Sequence, residues 1–122
     1  MPIMRALLCM LLLVSSSTAW TQQELSARKD QFCEQMADMG QKILMARYEG
    51  VSREEVLQAN QEATEDHQIA NIHVFVSQMM LSAYREPWLQ EHQRAAQFAQ
   101  FYADQYQSCR NHFIDATVDP IP

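Results

Sequence analysis

Four stretches of the chain repeat apolar residues at three- and four-residue intervals, the spacing of one helical face. The first runs from about Gln22 to Tyr48 and lines up Leu25, Phe32, Cys33, Met36, Met39, Gly40, Ile43, Leu44 and Tyr48. Gly50 follows where a left-handed helix cap is wanted. The second starts at Ser52 in "SREE", a capping box with Ser52 as cap and Glu55 reaching back. Val51 and Val56 stand at the positions of a hydrophobic staple around it. This helix carries Val56, Leu57 and Ala63, then turns polar at "EATEDHQ". The third is expected from about Asp66 to Tyr84, with Ile69, Ile72, Val76, Met79, Met80 and Ala83 as its stripe. The fourth is expected from about Pro87 to Asn111, with proline in a tolerated first-turn position. Its stripe reads Trp88, Ala95, Phe98, Ala99, Tyr102, Tyr106 and Cys109. "IDATVDPIP" after Phe113 has no period and reads as a flexible, frayed tail over 114–122.

The N-terminal residues have a different pattern. Arg5 precedes an unbroken apolar run, Ala6 to Val14, and "SSSTA" follows, with Ser17 and Ala19 at small-residue cleavage positions. That pattern is a secretory signal peptide over 1–19, and its run is too short to span a bilayer. Cys9 does not suit a lipoprotein, since Leu8 precedes it and it lies inside the apolar run. The exported chain is then one helical domain, 20–113, plus the tail.

Export changes the meaning of the cysteines. Cys33 and Cys109 remain after cleavage, and an even count in an exported chain points to a disulfide. Short connections between four helices predict an all-α, up-down-up-down bundle, in which the fourth helix runs antiparallel to the first. Cys33 near the start of the first and Cys109 near the end of the fourth then meet. Closing a loop this long is worth roughly 4 to 5 kcal/mol in the chain-entropy model.

Without Arg5 the chain has eight Lys and Arg against fifteen Asp and Glu, a net charge near −7. Such a surface repels phosphate backbones and anionic membranes, so neither is an expected partner. No phosphate-cradling glycine loop, catalytic triad, zinc spacing or paired-acid motif is present, so no enzyme and no cofactor are expected.

The soft and titratable residues offer less chemistry than their number suggests. Met36, Met39, Met79 and Met80 follow the apolar stripes and read as core rather than as a Cu(I) site. Met45 projects to the polar side. His67, His73, His92 and His112 lack the three- or four-residue spacing of a helical metal site, so no metal is expected. Arg47 falls on the apolar face in the last turn of its helix, where a cation satisfies carbonyls or pairs an acid.

The third helix has a second apolar row, Ala70, Val74 and Leu81, and the fourth places Leu89 and Phe101 off its stripe. Val74, Leu81, Phe101 and Leu89 are therefore candidates for a partner or homodimer surface.

Cys33, "MARYEGVSREEV", "SAYREP" and Cys109 together resemble a loose group of small exported bacterial helical proteins of unknown function with one disulfide. The resemblance covers most of the exported chain. It implies a helical periplasmic protein and no activity. The expected function is an exported, non-enzymatic protein-binding module, in the manner of an immunity protein or a stress chaperone. The alternative is a periplasmic metal- or small-ligand-binding protein using Met and His side chains.

Overall fold

The computed structural model describes residues 21–64 and 72–121. The signal-peptide reading for 1–19, and the start of the third helix at Asp66 with Ile69 and Ala70, lie outside the described residues. Four helices follow one another: α1, Gln22–Tyr48; α2, Arg53–Thr64; α3, Ile72–Arg85; and α4, Glu91–His112. No strand occurs among the described residues.

Local chemistry sets the helix ends. The Thr21 hydroxyl accepts from the Glu24 N–H at 3.1 Å and caps α1. At the other end Gly50 takes φ +86°, and the Val51 N–H reaches back to the Ala46 carbonyl at 3.0 Å, the Schellman arrangement. The Ser52 hydroxyl then accepts from the Glu55 N–H at 3.2 Å and starts α2. Val56 is buried and Val51 packs against the core, as a staple requires.

α1 and α4 form the principal pair. Cys33 and Cys109 are joined by a disulfide with Cα atoms 5.5 Å apart, and neither is exposed. Further along, Gln41 Nε2 donates to the Phe98 carbonyl at 3.2 Å, and Tyr48 Oη donates to Gln97 Oε1 at 2.5 Å. Rising numbers on α1 meet falling numbers on α4, so the two are antiparallel. α3 runs with α1: Phe75 and Phe32 both pack against Phe113 at one end, and Arg47 meets Ala83 at the other. α2 lies against α3, tied at one end by Tyr84 Oη donating to the Val51 carbonyl at 2.7 Å.

Gly40 explains how closely α1, α3 and α4 approach. A Cβ there would lie 2.8 Å from Met79 Sδ and 3.2 Å from Gln105 Cγ. Both neighbours occupy the room that a side chain would take.

The buried line of α4 differs from the expected stripe. Gln97, Phe101, Gln105 and Cys109 face the core at four-residue intervals, while Ala95 and Ala99 are exposed. Phe98 and Tyr106 flank that line as partly buried residues. Gln97 can be buried because its amide is satisfied: Oε1 accepts from Tyr48 and Nε2 donates to the Pro87 carbonyl at 2.9 Å. Gln105 fits because Gly40 leaves space for it. Trp88 is 59% exposed and precedes the helix, which starts at Glu91 rather than at Pro87. Residues 87–90 are instead held as a non-helical link, where the Leu89 N–H donates to Tyr48 Oη at 3.0 Å and its carbonyl accepts from Arg94 Nε at 3.1 Å.

The segment 114–121 departs from the frayed tail that its lack of period predicts. Val118 is 3% exposed and Ile121 packs against the core. Lys29 Nζ donates to the Ile114 carbonyl at 2.7 Å, and Arg28 pairs with Asp119. The segment is non-periodic because it crosses α1 as an irregular strap and uses main-chain partners in place of an apolar stripe.

Three tyrosines give the fold an alkaline limit. The Asp30 carboxylate accepts the Tyr106 proton at 2.8 Å, and this bond, then burial, raises that phenol above its ordinary 10.0. Burial raises Tyr84, with Arg47 opposing and Glu54 and Glu55 adding. Burial, then Glu34 and Asp38, raises Tyr102. A raised folded value means that the unfolded chain loses its proton first. This stabilisation is complete below pH 10 and is lost as pH rises through the raised values. Denaturant titrations from about pH 9 to 11 should show falling stability, with a shallower fall in Tyr106→Phe. An equal slope in that variant would remove the Asp30 bond as a contributor.

Candidate functional site: the groove between α1 and α2

α2 rests on α3 and leaves a cleft beside α1. The opposing walls are Met39, Ile43 and Ala46 on α1, and Val56 and Ala59 on α2, with Val51 at the turn between the helices. Gln35, Asp38, Lys42, Glu55 and Asn60 supply the polar part of the lining. The groove has a volume of about 550 Å³ and a mainly apolar surface. From Gln35 to Ala46 it follows α1 for about 16 Å, at 1.5 Å of rise per residue. Lys42 Nζ is held by Asp38 Oδ2 at 2.8 Å, which keeps that charge at the rim rather than over the apolar floor.

The groove arises from the pattern of α2. Its first turns supply Val56 and Leu57, which pack inward, and its later residues are polar or alanine. A helix with so few apolar positions covers one neighbour well and a second only in part. Here it covers α3, with another cleft of about 540 Å³ and a more polar lining between Leu57, Gln61, His73 and Met80.

Ile121 also lines the α1/α2 groove, beside Gln35. Gln35 fixes it there with both halves of its amide. Oε1 accepts from the Ile121 N–H at 2.6 Å, and Nε2 donates to the Ile121 carbonyl at 2.8 Å.

The four residues expected on a partner surface do not all lie at the surface. Phe101 is 2% exposed and belongs to the core, because the buried line of α4 runs through it. Val74 is 50% exposed on α3, and Leu81 is half-buried further along that helix. Leu89 is half-buried in the link before α4, at the opposite end of the molecule from Val74. The periodicity identified Val74 as an outward residue but assigned Phe101 to the wrong side.

The other side chains singled out by the sequence also have definite places. Met36, Met79 and Met80 are core, Met39 lines the groove, and Met45 is 41% exposed. His73 and His92 are exposed, and the His112 ring rests 4.6 Å from that of Phe113. His67 lies outside the described residues. Among the described residues no three His, Cys, Asp or Glu side chains gather as a metal set would.

Arg47 satisfies carbonyls, but those of another helix. Its Nη1 donates to Ala83 at 2.8 Å and to Glu86 at 2.5 Å, at the C-terminal end of α3. Arg94 lies 4.0 Å over the Tyr48 ring, and Tyr48 packs 4.5 Å from Trp88. This cluster locks the α3–α4 link.

The sequence does not single out Gln35, because its partner is main chain far away in sequence. No helix among the described residues is long and apolar enough to cross a membrane. No family model, curated protein or solved structure matches the chain.

Proposed function

We propose that this is an exported, non-enzymatic binding protein of a bacterial periplasm, and that it receives apolar side chains of a protein partner in the α1/α2 groove. The resemblance to small exported helical proteins agrees with this reading. So does the disulfide, since such bonds persist in oxidising compartments. The observation that carries it is the groove itself, an apolar surface about 16 Å long whose lining includes the aliphatic Ile121 of the C-terminal strap. Two antiparallel helices with an apolar seam offer anchor positions for side chains of a third segment. As an immunity-type plug or a stress chaperone, the protein would hold its partner through that surface. The acidic net charge makes nucleic acid and anionic membranes poor partners.

A second reading has one specific observation in its favour. The volume of about 550 Å³ also lies in the range of small-molecule sites. An apolar small ligand is therefore the alternative occupant. It would bind through the groove's aliphatic walls and Met39 rather than through a Met and His metal set.

The test uses N-phenylnaphthylamine, a neutral apolar fluorophore, on the mature chain. It should bind saturably near one equivalent, and Ala59→Arg should weaken binding at least ten-fold with an unchanged melting temperature. Amphipathic peptides should then displace the probe. Displacement by single-chain alkyl compounds but not by peptides would favour the small-ligand reading. Binding that is absent, or insensitive to Ala59→Arg, would overturn the groove as the binding surface.

A further inference from the structure

The way Ile121 is held resembles the way a binding domain holds a bound peptide. Gln35 hydrogen-bonds its main chain, pairing with the N–H at 2.6 Å and the carbonyl at 2.8 Å. That pairing holds a residue by its backbone without regard to its side chain, as the edge of a sheet does. The side chain is selected separately, since Ile121 lines the apolar groove. Two residues earlier, Asp119 pairs with Arg28. Arg28 and Gln35 stand seven positions apart on α1 and so share one row of the helix. The row thus offers a cation for an acid, then an amide for a backbone, then an aliphatic pocket.

The anchoring is of a kind that can exchange. The Arg28–Asp119 pair is partly exposed, with side chains 35% and 67% accessible, and exposed pairs contribute little. Ile121 is half-buried rather than enclosed. The firm anchors of the strap, Phe113 and Val118, lie earlier in it. Residues 119–121 can therefore lift while the rest of the fold stays closed.

We propose that residues 119–121 are an internal stand-in for the partner: the groove takes an extended peptide carrying an aliphatic residue two positions after an acidic one, and Gln35 reads that residue's backbone. This rests on the groove being the binding surface, and it specifies what enters. The strap competes with the partner, so the free protein covers its own main-chain-reading position. The partner's aliphatic residue replaces Ile121, and its neighbouring side chains extend along Met39 and Ile43.

The test uses the full mature chain and a synthetic peptide with the sequence of residues 117–122. In Ile121→Asp the strap cannot seat its side chain, and circular dichroism checks that the fold is kept. Ile121→Ala serves as a second, milder variant with the same expectation. Nitrogen-15 NMR follows the Gln35 side-chain amide during titration. The peptide should move that resonance in both variants toward its wild-type position. It should do so at a concentration at least ten-fold lower than that needed to perturb wild type. Adding Gln35→Ala to either variant should weaken binding, read at Ile43 and Ala59, by ten-fold or more. A Gln35 amide that does not respond, or that responds equally in wild type and variants, would overturn the proposal. If N-phenylnaphthylamine still binds in that case, the groove reading survives and only the peptide mode falls. If the probe also fails, both fall together.

Discussion

Cys109→Ala should lower stability by about 2 to 5 kcal/mol, the range for removing a native disulfide from a small exported domain. The bond closes a loop of 76 positions, so the unfolded chain gains much freedom when it is cut. It also fastens the principal helix pair at the end where Phe32, Phe75 and Phe113 meet. For a domain of this size, each kcal/mol moves the melting temperature by roughly 4 to 8 °C. The variant should therefore melt about ten degrees or more below the oxidised parent, and Cys33→Ala with Cys109→Ala should behave alike. Protein purified without reductant should be two hydrogens lighter than its reduced form. A melting shift of only a degree or two on removing the bond would show that helix packing alone carries the fold. The sulfurs are fully buried, so reductant should act slowly on the native protein and quickly once denaturant is added.

Phe113→Ala should cost about 3 to 5 kcal/mol, as other buried phenylalanine truncations do. The ring is 2% exposed and stands edge-on to Phe32 at a centroid distance of 5.3 Å. It also lies 5.7 Å from the Phe75 ring, so its loss opens space between α1, α3 and α4 together. Phe113 further ends α4, its N–H donating to the Cys109 carbonyl at 3.0 Å, and the strap starts from it. Hydrogen exchange should accordingly speed up in 114–121 more than at the Arg47–Ala83 end. Phe113→Leu should retain part of the stability by filling some of the space. A loss below about 1 kcal/mol in the alanine variant would mean that the three-helix junction can collapse around the gap.

The helices were legible because their apolar positions recur regularly and their caps are local. Thr21 lies one residue before α1, Gly50 just after it, and Ser52 just before α2. The disulfide was legible because two cysteines permit one pairing and the antiparallel ends agree with it. What could not be read depended on partners distant in the chain. Gln97 and Gln105 are polar by type, yet Tyr48 satisfies one and Gly40 makes room for the other. Missing them rotated the expected stripe of α4 and moved Phe101 out of the core. The strap was missed for a related reason. Its hold on α1 runs through the Gln35 amide and the Ile121 main chain, which no side-chain pattern records. The groove is harder still to foresee, because it is the difference between what α2 covers and what it leaves.

Methionine methyls report on the groove most directly. Met39 lines it, Met36 and Met79 are enclosed in the core, Met80 borders the cleft between α2 and α3, and Met45 is on the surface. With carbon-13-labelled methionine methyls in the chain from Trp20 onward, titration with N-phenylnaphthylamine should shift Met39 progressively to saturation and leave Met36, Met79, Met80 and Met45 in place. A shift at Met80 or Met45 with Met39 unmoved would contradict the α1/α2 groove as the binding site.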